Sequence, residues 1–332
     1  MLLSPQTKPK DHFRGQGTGT GVMLRCPHCF DLIGYLPDRD AVALDCSTCM
    51  SRLACEQGIW RALLPERAVR YARFVREYES IRASEGRGST TDDYYLALPY
   101  RDLSGRLSAQ WALRARTFRY IERKIMPRFT PLSHYCLRIL DLGAGNGWMS
   151  YRLASQGHAP VAVDLLTNDQ DGLGAARHYK QRLGTLFPLI QAELDNLPFA
   201  DSQFDLAIFN SSFHYSENYE KTFAEALRCV RARGTVLIAD TPWYSDEWSG
   251  LRMLDERRAL FIKRYGFPSD ELKSLEYLTD QRLAALERRF DIQWQTHRPF
   301  YGIRWHMRPL LARLRHTRKP SRFRIYSAKV VK

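Results

Sequence analysis

The chain has 332 residues, 44% of them hydrophobic and 26% charged, enough for about two domains of ~100–200 residues. Its formal charge of +14 is unevenly spread: residues 1–60 carry six basic and six acidic side chains, 61–128 fifteen and eight, 129–291 eighteen and twenty-two, and 292–332 eleven and none. No apolar run approaches the ~20 residues of a membrane-spanning helix, the N-terminus lacks a secretory signal, and seven cysteines are too few for a disulfide scaffold, so a reducing, cytoplasmic setting is expected.

Residues 1–20 are expected to be a flexible N-terminus. From 21 to 62, Cys26-Pro-His-Cys29 and Cys46-Ser-Thr-Cys49 stand sixteen residues apart, a spacing that predicts a zinc ribbon. Four thiolates on two short knuckles complete a tetrahedral shell and leave no open position for a reacting water, so the expected metal is structural Zn²⁺. A module of about forty residues has a small core, and the metal is expected to supply its missing stability. His28, squeezed between two ligands, and Cys55 are left outside the set.

Residues 63–128 are expected to form a helical linker or lid. Ala68, Tyr71, Phe74, Tyr78 and Ile81 recur at helical spacing while Arg67, Arg70, Arg73 and Arg76 occupy other positions around the turn. Gly86 and Gly88 end that helix, residues 89–93 read as a polar loop, and a second helix is predicted from Ser108 to Met126-Pro127. Both basic faces read either as solvated surface or as a ligand-binding face.

Residues 129–332 carry an α/β pattern with an insertion near 243–290. The run Leu137-Arg-Ile-Leu-Asp141 precedes Gly143-Ala-Gly145-Asn-Gly147 and then a helical pattern, which predicts strand, glycine turn and helix. The glycines allow close approach to a ligand, and the helix start offers free N–H groups. A second strand ends in Asp164, twenty-one residues after Gly143, where a carboxylate can accept both hydroxyls of a ribose. The G-x-G-x-G spacing differs from the pyrophosphate-cradling G-x-G-x-x-G. Beyond it come Gln191-Ala-Glu193, Leu197-Pro-Phe199, Phe204-Asp205 and a strand over 235–240.

In this ordered series residues 136–240 resemble the class I S-adenosylmethionine-dependent methyltransferases, which implies a doubly wound, Rossmann-like sheet. The resemblance further implies that Asp141, Gly143, Ala144, Gly145 and Gly147 line the methionine and ribose part of the cofactor and that Asp164 binds the ribose hydroxyls. Leu165 would pack on the adenine, Glu193 with Leu194 would sit at its amino edge, and Asn210 with Ser211 would close the floor beneath the sulfonium. Arg114, ahead of the core, would pair with the cofactor carboxylate, and Tyr95 and Tyr215 would bound a substrate pocket, with core packing as the alternative for Tyr95. His214 is the candidate general base, with a wall-shaping role as the alternative.

The ribbon followed by this core also looks like bacterial methyltransferases with a zinc ribbon in front, among them ribosomal RNA guanine-N1 methyltransferases. The resulting expectation is methylation of a small or lipid-like metabolite. An rRNA or tRNA methyltransferase held to RNA by the basic linker and tail is the second reading, and a non-catalytic cofactor-binding partner subunit is the third. For the tail itself three readings stand: single-stranded RNA stacking on its aromatics, peripheral contact of Trp305, Leu310, Leu311 and Leu314 with an anionic membrane, or a final helix and strand packed on the sheet.

Overall fold

The computed structural model describes residues 21–37, 41–129 and 136–330; the expected flexible N-terminus at 1–20 lies outside them. Two hairpins come first, β1 (Met23–Arg25) with β2 (Leu32–Tyr35) and β3 (Ala43–Asp45) with β4 (Arg52–Glu56), then β5 (Ile59–Arg61). Each hairpin carries one cysteine pair in its turn, and the two turns are built alike. Cys26 N–H donates to Asp31 O (2.8 Å) and Phe30 N–H to Cys26 O (3.0 Å); Cys46 N–H donates to Ser51 O and Met50 N–H to Cys46 O, both at 2.9 Å.

The long helix α1 (Pro65–Ser84) has proline at its first position, where a missing N–H costs nothing. The polar stretch expected to be a loop runs into a short helix, α2 (Asp92–Ala97). Next, α3 (Ser108–Tyr120) leaves α geometry earlier than expected, through a π-helical turn over 121–125 and a 3₁₀ turn to Arg128. Pro127 explains this, since it has no N–H for the carbonyl four residues back.

The remaining elements alternate: β6 (Arg138–Leu142), α4 (Trp148–Ser155), β7 (Ala159–Asp164), the single turn α5 (Lys180–Leu183), β8 (Leu189–Gln191), β9 (Phe204–Asn210), α6 (Tyr219–Cys229) and β10 (Val230–Ala239). Residues 243–290 contain α7 (Glu247–Tyr265) and α8 (Asp280–Phe290). β11 (Gln295–His297), α9 (Ile303–His306), α10 (Arg308–Leu314) and β12 (Ile325–Lys329) follow. No helix among the described residues is long and apolar enough to cross a membrane.

One sheet of ten strands runs β11-β12-β10-β9-β6-β7-β8-β5-β4-β3. Pairing is parallel from β10 through β5 and antiparallel at both edges. Strand side chains alternate between two cores: Leu140, Leu142 and Phe209 face the side of α6 and α8, whereas Ile139, Leu206 and Ile208 face α2, α3 and α4. Helices on both faces of a mostly parallel sheet make the fold doubly wound. β6 lies between β7 and β9, so strand order reverses there and a cleft opens beyond the carboxyl ends of β6 and β9.

Two expectations change. The ribbon is not a separate module that depends on metal alone, because β5 pairs with β8 and Leu24, Leu36 and Leu53 belong to the same core as the sheet. Arg25 N–H also donates to Pro198 O (3.1 Å) and Ala200 N–H to Met23 O (2.9 Å). The boundary expected at residue 62 therefore runs through a continuous sheet. At the other end, β12 supplies the packed final strand, inserted between β10 and β11. The tail's aromatics are largely consumed internally, with Trp305 stacked on Phe323 at 5.2 Å and Tyr301 beside both.

Candidate functional site

The cleft at the strand ends encloses about 1180 Å³ of space, counted out to its mouth. Its floor is the loop after β6. Gly143, Gly145 and Gly147 all have positive φ, at +75°, +56° and +74°, which glycine adopts without strain. At Gly143 close approach is decisive as well: a Cβ would lie 2.2 Å from Ser212 Cβ, and Ser212 Oγ donates to Leu142 O. Gly143→Ala should lower stability by more than about 1 kcal/mol and pull Ser212 out of place. Thermal melting and cofactor titration of this variant test the point, and a variant that melts and binds like the parent would contradict it.

Two carboxylates face this floor, Asp141 fully buried and Asp164 half-buried. Asp164 at the end of β7 accepts the N–H of Gly145 (2.7 Å) and of Leu166 (2.8 Å), one on each oxygen, so its orientation is fixed while each oxygen keeps a lone pair. Burial pushes its pKa up to about 6. Asp141 at the end of β6 accepts from Ser150 Oγ (2.7 Å), and burial, reinforced by the Asp164 charge, pushes it up to about 7. Opposite them Arg114 of α3 lies over Trp111 (4.8 Å) and has no hydrogen bond or ion pair among the described residues. Burial, together with Arg87 and Arg82, lowers its pKa to about 10. Asn210 Oδ1 is likewise buried without a partner.

The facing wall is α1. Tyr71, Phe74, Tyr78 and Arg82 line the cleft at helical spacing, so the face that reads as core in the sequence is a cavity wall. Two of its arginines pair with carboxylates of the methyl-transfer half of the chain, whereas Arg76 is exposed. Arg67 grips Glu193 through three contacts of 2.5–3.0 Å, and Arg70 binds Glu217 at 2.8 Å. Tyr71 OH adds a 2.9 Å bond to Glu193.

The cleft brings together Asp141, Gly143, Ala144, Gly145, Asp164, Leu165, Glu193, Leu194, Asn210, Ser211, Arg114 and Tyr215. Three expected members are elsewhere. Gly147 sits behind the loop, where a Cβ would meet the Phe187 ring at 3.2 Å. Tyr95 is core: its ring stacks on His178 at 4.4 Å and its hydroxyl lies 2.8 Å from Gln170 O. His214 is not in the lining, because residues 213–215 form a 3₁₀ turn whose successive side chains diverge, and Tyr215 takes the cavity side. The His214 ring is buried with Nδ1 unpartnered, and burial lowers its pKa to about 4. Glu193 is present, but Arg67 and Tyr71 engage its carboxylate instead of leaving it open to an adenine amine.

Sequence reasoning missed Phe74, Tyr78, Arg82 and Leu272 as lining residues. The aromatic bias of the α1 stripe, Tyr-Phe-Tyr where a buried helix usually carries aliphatics, is the signal that could have found two of them, Phe74 and Tyr78. Gln191, where the resembling family has Asp, joins three strands here: it donates to Leu165 O (3.1 Å) and accepts from Arg61 (3.1 Å).

Far from this cleft, Cys26, Cys29, Cys46 and Cys49 gather with all four sulfurs within 4.8 Å of one another. The pairs Cys26–Cys49 and Cys29–Cys46 stand 3.6 and 3.5 Å apart, close to the ~3.8 Å edge of a tetrahedron with ~2.3 Å metal–sulfur bonds. Cys55 and His28 are outside the cluster.

Residues 140–238, from β6 almost to the end of β10, match a family model described as a methyltransferase domain. By this match, which covers under a third of the chain, residues 140–238 are similar to methyltransferase domains. It is 36% identical over 106 residues to malonyl-[acyl-carrier protein] O-methyltransferase of Geobacter sulfurreducens, covering 31% of this chain and 38% of that protein. It is 29% identical over 159 residues to fatty-acid O-methyltransferase of Mycolicibacterium smegmatis, covering 46% and 57%. The chain thus spans well under two thirds of these relatives. A crystal structure of a putative sarcosine dimethylglycine methyltransferase from Galdieria sulphuraria superposes with a TM-score of 0.47 at 13% identity, over 65% of this chain and 86% of that one. Within the matched residues, the unpartnered Asn210 oxygen, the glycine floor and the carboxylate with spare lone pairs fit a nucleoside cofactor, and the unpaired Arg114 just outside them fits that cofactor's carboxylate.

Proposed function

We propose that the protein transfers a methyl group from S-adenosylmethionine to a small or lipid-like metabolite. The match to a methyltransferase domain over the strands whose ends carry the cleft is the observation that supports it. Bound S-adenosylmethionine would supply an electrophilic methyl group on sulfur. Asp164 would hold the ribose hydroxyls, Arg114 the carboxylate, and Leu165 and Leu194 the adenine faces. Asn210 and Ser211 would close the floor.

The remaining wall, Phe74, Tyr78, Tyr215 and Leu272, would enclose the acceptor, orient it for in-line displacement and exclude water. Its aromatic character favours an apolar acceptor, and the name of the fatty-acid relative agrees with that class. In this reading His214 supports Tyr215 from behind the wall and moves no proton. We further propose that the four cysteines hold a structural Zn²⁺, a ligand set suited to a reducing cytoplasm.

Calorimetric titration with S-adenosylmethionine tests the cofactor, with saturable one-to-one binding expected. Label transfer from the cofactor to a panel of fatty acids and other small apolar acceptors tests the reaction. Absence of binding defeats the proposal; binding with no transfer to any acceptor class would leave the non-catalytic cofactor-binding subunit in its place.

A further inference from the structure

The C-terminal segment builds a second cleft, away from the methyl-transfer site. Arg298, Arg308, Arg322 and Arg324 line it together with His306 and Ser321, and no carboxylate lines it among the described residues. Four guanidinium groups around one space repel one another unless an anion enters. Among the described residues the only carboxylate touching one of the four is Asp280, 3.5 Å from Arg324, and it is itself largely exposed. Neighbouring Arg318 is taken by Glu256 at 2.7 Å and Lys319 by Asp246 at 3.1 Å, outside the lining.

Two of these arginines are held in place by aromatic faces. Arg308 lies 4.0 Å over Trp305, which is stacked on Phe323, and Arg324 lies 3.4 Å over Trp243. Stacking fixes a guanidinium plane while leaving N–H donors for other partners, of which Arg324 spends one on Asp280 at 3.5 Å. Arg308 Nη1 is buried with no hydrogen-bond partner among the described residues, a cost that a bound acceptor would remove. Preorganised forks with unused donors match the several oxygens of a phosphate group.

We propose that this cleft binds a phosphate group. Its surroundings favour the head group of an anionic phospholipid over free phosphate. On the adjoining α9 and α10, Ile303 is 75% and Leu314 69% exposed, with Leu310 and Leu311 between them also exposed. Arg304, Arg313 and Arg315 stand on the same stretch without an ion pair among the described residues, and residues 292–332 contain no acid. Apolar side chains interleaved with cations beside a phosphate pocket are what an anionic bilayer surface recruits.

The test uses the full chain in two arms. The first titrates inorganic phosphate by calorimetry; the second floats the protein with vesicles of phosphatidylcholine alone or mixed with phosphatidylglycerol. Saturable phosphate binding is expected, weakened about tenfold or more by Arg308→Gln and by Arg322→Gln, as loss of a charge-assisted bond predicts. Retention by the mixed vesicles only is expected, lost in Leu310→Asp/Leu314→Asp while phosphate binding persists. Melting temperature and S-adenosylmethionine binding should match the parent in each variant, which separates this site from the methyl-transfer reading. Phosphate binding without vesicle retention would overturn the lipid source and retain the site. No phosphate binding, or binding indifferent to both arginine variants, would overturn the site itself.

Discussion

Asp164→Ala is expected to weaken S-adenosylmethionine binding by about two to four orders of magnitude, as loss of two hydrogen bonds to a charged acceptor predicts. The carboxylate is prepared for this task by the backbone. Its oxygens are anchored on Gly145 N–H and Leu166 N–H at 2.7 and 2.8 Å, so no rotamer need be frozen when the ribose arrives. The pH dependence follows from its burial. A carboxyl raised to about 6 is charged at neutral pH, where both oxygens accept, and protonated below about 6, where one acceptor becomes a donor. Cofactor affinity of the parent should therefore fall as pH drops through about 6. The linkage for folding has the same origin and the opposite sense: an acid whose folded pKa exceeds its unfolded 3.8 lowers stability as pH rises from there through about 6. Asp164→Ala should thus bind poorly and melt no lower than the parent near neutrality, apart from the loss of its two backbone contacts. Calorimetry and thermal melting across pH 5 to 8 separate the two effects. An Asp164→Ala variant with parental affinity would remove the ribose assignment.

The parts of this architecture that are legible in the sequence are those written locally. β6 and β9 are short apolar runs with Asp141 and Asn210 near their ends, and the glycine loop follows β6 directly, so strand, turn and helix follow from adjacent residues. β12 is legible for the same reason, from alternation over 323–331. What escaped is written between distant segments. Arg67 and Glu193 are 126 residues apart, and nothing in the α1 charge pattern says that Arg67 meets a carboxylate instead of solvent. The pairing of β5 with β8 joins three residues to three residues, too short for any period to register. His214 failed for a local reason of a different kind: a single turn of 3₁₀ geometry decides which of two adjacent rings meets the cavity.

That β5–β8 pairing carries the second large prediction. Removing one ligand with Cys46→Ser, or stripping metal with a chelator, should cost several kcal/mol, since structural zinc contributes on the order of 10 kcal/mol or more where it organises a fold. A loss of about 3–5 kcal/mol would lower the melting temperature by roughly 4–7 °C in a chain of this size. The position of the loss matters more than its size. β3 and β4 are the outer strands beyond β5, and β5 is the neighbour of β8. Just past β5 the chain enters α1 and Arg67; just past β8 it reaches Glu193. The Arg67–Glu193 grip therefore joins the two segments that β5–β8 pairing holds in register, and Tyr71, Phe74 and Tyr78 follow on the same helix into the cleft wall. If the cysteine cluster loosens, hydrogen-exchange protection should fall at Leu189–Gln191 and along the first turns of α1 while β6 and β9 stay protected. Cofactor affinity should fall with it, although no cysteine lies in the cleft. Cys55→Ser, outside the cluster on the same strand system, is the control and should change none of these. If the cysteine variant loses metal yet keeps both protection at β8 and parental cofactor binding, the ribbon is an independent appendage; loss of all three would make the metal a distant support of the methyl-transfer cleft, acting through three residues of parallel sheet.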